Sequence, residues 1–209
     1  MVQAWNPSQI CSNVVLSGAN LIGTMTTNSP SDSPMYAVES VTTGRFYWEI
    51  TLAGAIATIA AGIGNILSST GQGQYLGDGS NTIGWFGGGS VDSGASGIAT
   101  WATFASGNTL CFAMDLVSGK LWGRVGAAGN WNNDVIANQN PAVGSQVGGV
   151  AIPSSVTANA VVPAVSVETL SDTATGKFAS ASWIGTPPLG FGPFDASTVF
   201  GWARAPVSF

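Results

Sequence analysis

Histidine is absent from the 209-residue sequence. Its absence removes the commonest general base, the commonest zinc ligand, and both the Ser-His-Asp and Cys-His nucleophile systems. Acid–base chemistry is then left to carboxylates, as in glycoside hydrolysis, which needs two of them facing one another across a cleft at roughly 5–10 Å. The candidates are Glu49, Asp78, Asp92, Asp115, Asp134, Glu168, Asp172 and Asp195. No spacing among them singles out a pair. Asp115 closes an alternating stretch and suits a hairpin cap, and turn chemistry accounts for Asp78 and Asp92 in their glycine-rich loops. No catalytic residue is assigned, and the chain is expected not to be an enzyme.

Other reactive groups are equally sparse. Cys11 and Cys111 make neither a disulfide framework nor a metal site, and are expected as small, buried, reduced hydrophobes. The run "GDGSNTIGWFGGG" lacks the Lys-Ser/Thr pair and following helix of a phosphate-binding loop. Asp78, Ser80 and Asn81 gather oxygen donors, but one carboxylate is too few for a calcium site. Neither a metal nor a cofactor is expected.

Binding chemistry has more to work with. Three aromatic residues fall in segments rich in glycine and polar side chains: Tyr75 in "GQGQYLG", Trp101 after "SGIAT" and Trp131 in "GNWNND". Amphipathic rings beside amides and carboxylates suit a protein partner or a sugar, since a ring stacks while Asn132 or Asp134 bonds a polar group. Tyr75, Trp101, Trp131, Asn132 and Asp134 are therefore the candidate binding residues. Trp85 and Trp122, on strand-like stretches, are assigned to the core.

Composition limits the partners. Hydrophobic residues make up 45% of the chain but charged residues only 7%, with a net charge of −5, against roughly a quarter charged in ordinary soluble proteins. Without a basic patch there is nothing to hold phosphates, so nucleic-acid binding is not expected. The longest apolar-looking run, "LAGAIATIAAGIGNIL", is broken by glycines and falls short of the roughly 20 residues a spanning helix needs. The beginning, "MVQAWNPSQICSN", carries neither a basic segment nor an apolar signal core, so synthesis in a cytoplasm is expected.

The elements that must position these residues are strands. Hydrophobic periodicity is close to two, interrupted by Gly, Asn, Ser and Pro, with no long helical stripe. In "GRFYWEITL", Phe46, Trp48, Ile50 and Leu52 share one face while Tyr47, Glu49 and Thr51 share the other. "NVVLSGANLIGTM" reads as two strands around a turn at 17–20. "NTLCFAMDLVSGKLWGRV" is the clearest hairpin. Pro163 places "NAVVPAVSVE" at an edge or a bulge. The irregular segment 126–160 is long enough to be either a binding loop or an ordered cover. Beyond Gly190 the sequence is aromatic and almost uncharged, so it is expected to pack on its own domain or on a neighbour.

Several of these stretches, in order, resemble SPRY domains. "TTGRFYWEI" is similar to the Gly-Lys-aromatic-Tyr-aromatic-Glu-Val strand of that family, and "GIGN" to the strand that follows. "YLGDGSNTIGWFGGG", "SGNTLCFAMDLVSGKLWGRVGAAGNW", "VVPAVSV" and "KFASASWIGTPPLGF" resemble successive later segments. The resemblance runs from about Trp5 to Phe191. Asn108 stands where Asp is usual, the stretch before Trp131 is longer, and Ala179–Ser180 replace a common Asn-Phe-Gly; these departures bear on loops rather than on fold. The resemblance implies an all-β, bent sandwich of two antiparallel sheets over residues 1–191, a tail at 192–209, and binding by loops at one rim. On this fold "GRFYWEI" is a core strand, with Glu49 and Arg45 as a structural ion pair or hydrogen-bond anchors, and Glu49 is expected to have a donor nearby.

The leading "WNPSQICSNVVLSGANL" resembles SPRY proteins encoded by bacteria and their phages. That implies a structural or binding module of a virion (a capsid decoration, head-fibre or tail-associated protein) whose partners are other virion proteins or further copies of itself. The alternative is a module that attaches to a host-surface glycan or receptor.

Overall fold

The computed structural model describes residues 3–28, 33–65, 67 and 74–194. Two antiparallel sheets enclose one core. Across the first lie β1 (Trp5–Ile10), β4 (Ser33–Ala37), β13 (Val161–Val167), β6 (Ala60–Asn65), β7 (Thr82–Phe86), β8 (Ser90–Asp92) and β9 (Gly97–Thr100). Across the second lie β12 (Val150–Ala151), β11 (Lys120–Val125), β10 (Thr109–Asp115), β5 (Arg45–Ala53), β14 (Thr173–Lys177), β3 (Ile22–Met25) and β2 (Val14–Ser17). A two-residue strand, β15 (Gly192–Pro193), runs parallel beside the start of β5.

Period-two patterning explains which residues meet. Phe46, Trp48, Ile50 and Leu52 of β5 join Leu110, Phe112 and Met114 of β10 in the core, opposite Ile63, Ile83, Trp85 and Val165 of the other sheet. Trp48 stacks on Phe112 at 5.1 Å, and Trp85 meets Phe112 edge-on at 6.0 Å. Burial of each such side chain contributes on the order of 1.5–3 kcal/mol. The alternate residues Tyr47, Cys111, Ala113 and Trp122 form a second, smaller cluster on the outer face. The hairpin folds as its sequence indicates: Asp115 pairs with Lys120, and its carboxylate accepts from the Val117 and Ser118 amides at 2.8 and 3.2 Å.

Three expectations need correction. Pro163 lies on an interior strand, since β13 sits between β4 and β6. Its missing N–H is tolerated because the β4 ladder stops at Ala164↔Tyr36, and the next pairing is an isolated Val41↔Val161 bridge. Of the two roles expected for Arg45 and Glu49, the mutual ion pair does not form, since Arg45 Nε lies 3.0 Å from Asp115 across the β5–β10 ladder, whereas both side chains do serve as hydrogen-bond anchors. The segment 126–160 is also less irregular than its composition indicates, holding a turn of 3-10 helix (Trp131–Asn133), β12 and a four-residue helical turn (Ser154–Thr157). Val156 and Ile152 from it are buried in the main core.

The sandwich also extends past residue 191. Gly192–Pro193 pairs with β5, and the buried Phe194 ring packs on Phe46 and Trp48 at 5.0 and 5.7 Å. The remainder of the expected tail, 195–209, lies outside the described residues. Cys11 and Cys111 are both buried and unpaired with each other. Among the described residues no helix is long and apolar enough to cross a membrane.

Candidate interaction surface

The outer face of the second sheet is where loops gather. Its floor is set by β5, β10 and β11, whose outward residues are Tyr47 and Glu49, Cys111 and Ala113, and Trp122 and Arg124. Two segments lie over this floor, a strap at 179–191 and a cover at 126–152.

Glu49 holds the strap. Its carboxylate is fully buried and accepts from Tyr47 Oη at 2.7 Å, from the Ile184 amide at 2.9 Å and from the Gly185 amide at 2.8 Å. The donor anticipated for this carboxylate is thus threefold. Arg124 Nη2 adds a bond to the Thr186 carbonyl at 2.9 Å. Gly185 is needed here because a Cβ would stand 2.6 Å from Tyr47 Oη. Burial pushes the Tyr47 phenol well above its ordinary range, with Cys111 and Glu49 adding to the effect. Burial likewise raises the Cys111 thiol, although Tyr47 and Arg124 oppose it. Neither group is set up as a nucleophile, since nucleophilicity in a thiol requires the thiolate.

Trp131 and Asn132 hold the cover. The Trp131 ring is buried with Tyr47, Trp122 and Phe191, and the Arg124 guanidinium lies 4.5 Å from its centroid. Asn132 takes the left-handed conformation (φ +49°), which asparagine tolerates better than most residues. Its side chain accepts from the Gly123 amide at 2.9 Å and donates to Gln139 Oε1 at 2.8 Å, an oxygen that also accepts from the Gly149 amide. Trp122 Nε1 donates to the Val147 carbonyl at 3.2 Å. Asp134 ends the turn by accepting from the Val135 amide and the Asn138 side chain.

Among the residues this clamped cover presents outward are several aliphatic side chains, beside the exposed Asn133, Asn138 and Ser145. Val135 is 55% exposed, Ile136 63%, Val143 38%, Val147 42%, and Leu189 of the strap 73%. Cover and strap are stitched together by the Val143 amide on the Leu189 carbonyl at 2.9 Å. No charged residue occurs between 135 and 167 or between 178 and 194. Sequence reasoning had not selected these aliphatic residues; the signal for them was a run of Val and Ile among Gly, Asn and Pro in a segment with no alternation to bury them.

Of the five residues singled out from sequence, Trp131, Asn132 and Asp134 come together in this cover. Tyr75 lies on the opposite side of the sandwich, against Phe86 with its hydroxyl on Glu168 at 2.9 Å. The loop carrying it packs closely on β7, where a Cβ on Gly84 would be 1.9 Å from the Leu76 carbonyl oxygen. Trp101 is between the sheets rather than on a loop surface: it is 2% exposed, edge-on to Trp85 at 5.0 Å and packed against Gly123.

The acidic candidates are occupied as acceptors. Asp115 takes Arg45, Gln146 and its turn amides, Asp172 takes the amides of Ala55 and Thr169 at 2.8 Å each, and Asp92 takes Ser90. Asp78 faces the Tyr75 amide at 3.4 Å. Asp195 lies outside the described residues. Among the described residues no three His, Cys, Asp or Glu side chains gather where they would hold a metal.

No protein-family model matches the sequence, and no curated protein matches it. Solved structures do match in fold. The SPRY domain of human HERC1 superposes with a TM-score of 0.62 at 12% identity, covering 83% of this chain and 97% of that one. A human SPRY domain gives 0.56 at 16% identity over 79% and 95% of the two chains. The TRIM65 PSpry domain gives 0.57 at 13% identity over 84% and 89%. The fold is thus a SPRY-like β-sandwich.

Proposed function

We propose that this SPRY-like sandwich is a non-enzymatic protein-interaction module, acting through the sparsely charged face made by the 126–152 cover and the 179–191 strap. The observation that carries the reading is the contrast between the two sides of that face. Underneath, buried Glu49, Trp131 and Asn132 fix the backbone; outside, five aliphatic side chains stand in water. Exposed aliphatic side chains on a fixed, sparsely charged surface gain free energy by meeting a complementary protein surface. The setting we propose is a phage or phage-like particle, made in the host cytoplasm and carried as a decoration, head-fibre or tail-associated component beside other particle proteins or further copies. The resemblance of residues 5–21 to bacterial and phage SPRY proteins and the scarcity of charge support this setting.

The glycan-binding alternative has less behind it. A stacking site needs open rings, whereas Trp101 and Trp131 are buried and Tyr75 is across the sandwich. The test is incorporation: particles assembled with the wild-type chain or with Ile136→Asp and Val143→Asp are purified and the chain quantified by mass spectrometry. The reading expects the wild type on particles and at least tenfold less of the variants. Absence of the wild type, or equal incorporation of all three, would refute it.

A further inference from the structure

We infer that the partner met by the cover-and-strap face is the first-sheet side of a second copy of this chain, docked head to tail. The inference rests on the interaction reading above and supplies the identity of the partner.

The observation that carries it is a sorting of charge between the two sides of the sandwich. Arg45, Lys120, Arg124 and Lys177 are all the lysines and arginines among the described residues. Phe46, Leu121, Val125 and Ala174 turn inward, so period two sends all four cations out of the second sheet. Register aligns them in two rows, Arg45–Asp115–Lys120 and Lys177–Glu49–Cys111–Arg124. They border the cover and the strap: Lys120 Nζ lies 3.5 Å from the Gly149 carbonyl, Arg124 bonds the Thr186 carbonyl, and the Lys177 carbonyl accepts from Trp183 Nε1. The two carboxylates in these rows, Glu49 and Asp115, are fully buried. Among the described residues the one ion pair is Arg45–Asp115, so Lys120 and Lys177 keep their charge for a partner. Asp134 is the single acid of the cover, and the strap has none.

The opposite side carries acids and, among the described residues, no cation. Asp92 follows the inward-facing Val91 on β8 and points outward, Glu168 follows the inward-facing Val167 of β13 and accepts from Tyr75, and Asp78 is exposed ahead of β7. Aliphatic side chains stand among these acids too. Ile98, beside the Gly97 that pairs with Asp92, is 38% exposed, and Leu170, two residues past Glu168, is 52% exposed. Both sides thus offer apolar contact, bordered by charge of opposite sign. Either side set against its own kind brings like charges together, whereas unlike sides attract and steer the approach. The contact is heterologous, so each copy added leaves one side of each kind free for the next.

The experiment is sedimentation velocity of the full chain at 10 and 500 μM, in 20 and 500 mM NaCl. It includes the double variants Lys120→Gln/Lys177→Gln and Asp78→Asn/Asp92→Asn, alone and mixed in equal amounts. An unchanged melting temperature verifies that each sandwich is intact. In the wild type at 20 mM salt, species larger than a dimer are expected at 500 μM. Their association should weaken at least tenfold in 500 mM salt, where the screening length falls from roughly 20 Å to roughly 4 Å. Each double variant alone should associate at least tenfold more weakly than wild type. Their mixture should form a 1:1 dimer at wild-type strength and stop there, because one intact side of each kind remains. A wild type that stays monomeric at 500 μM overturns the inference. So does a closed dimer indifferent to salt, which would set the cover against its own copy, or a mixture that associates no better than its components. Particle incorporation of the cover variants is a separate readout, so the interaction reading can stand when the second copy fails.

Discussion

Replacing Glu49 by glutamine should loosen the strap more than any surface change of similar size. The buried carboxylate accepts three bonds, from Tyr47 Oη, Ile184 N and Gly185 N. Hydrogen bonds to a charged group are worth about 1.5–3 kcal/mol each, and a buried donor left without an acceptor costs about 1–3 kcal/mol. Glutamine keeps one acceptor oxygen and turns an NH2 group toward at least one former donor. Losing one bond and stranding one donor gives a cost of about 2.5–6 kcal/mol. Tyr47→Phe removes one donor and leaves the two amides served, for a cost of about 1.5–3 kcal/mol. Because the two side chains share a bond, the double variant should be less destabilised than the sum, with a coupling of about 1 kcal/mol or more. Urea unfolding of the wild type, both single variants and the double variant measures these terms. Hydrogen exchange at Ile184 and Gly185 tells local release of the strap from global unfolding. A Glu49→Gln protein within 0.5 kcal/mol of wild type, with Ile184 and Gly185 still protected, would refute the latch.

Asp115 ties acid stability to the hairpin. Burial alone would raise its carboxyl, but bonds from Ser118, Val117 and Arg45 outweigh that and hold it below the usual range. A depressed folded-state value means the contribution is present above the unfolded value near pH 3.9 and is lost as pH falls through the lower folded value. The stability gap between wild type and Asp115→Asn should therefore be constant from pH 5 to 7 and narrow only below about pH 4; a gap independent of pH down to 2.5 would contradict this. Gly123→Ala would bring a Cβ to 2.3 Å from the Trp101 ring, and the overpacking should cost about 1–3 kcal/mol in denaturant unfolding. Asn132→Gly and Asn132→Ala should both free the cover, visible as faster exchange at 135–149, with alanine worse by about 1–2 kcal/mol because it alone is strained at positive φ.

Much of the sandwich could be read from alternation because its strands bury one face between the sheets. "GRFYWEITL" and the Asp115 hairpin behaved as their period demanded, and Trp85 and Trp122 are in clusters for the same reason. Reading failed where the environment of a ring or of a proline was set by distant strands. Trp101 follows a short edge strand, so nothing local reveals that Gly123, twenty-two positions on, leaves the hole its ring fills. Pro163 misled because the tolerance comes from a gap in the neighbouring ladder, a feature of the partner strand. Trp131, Asn132 and Asp134 were found as a polar–aromatic cluster, yet their side chains face the sheet. What faces water is set by which carbonyls and amides the cover satisfies, and that long-range pairing has no local signature.

The pairing of β15 with β5 bears on how this chain matures. The flank of β5 next to Phe46 is left open by β14, which ends opposite Glu49, and among the described residues it is filled by 192–194. During translation that groove, and the inter-sheet space that the Phe194 ring plugs, stay unfilled until residues 192–194 have emerged from the ribosome. Completion of the sandwich thus waits for the last of the described strands, and a product stopped before Gly192 would carry a wet seam down the middle of its larger sheet.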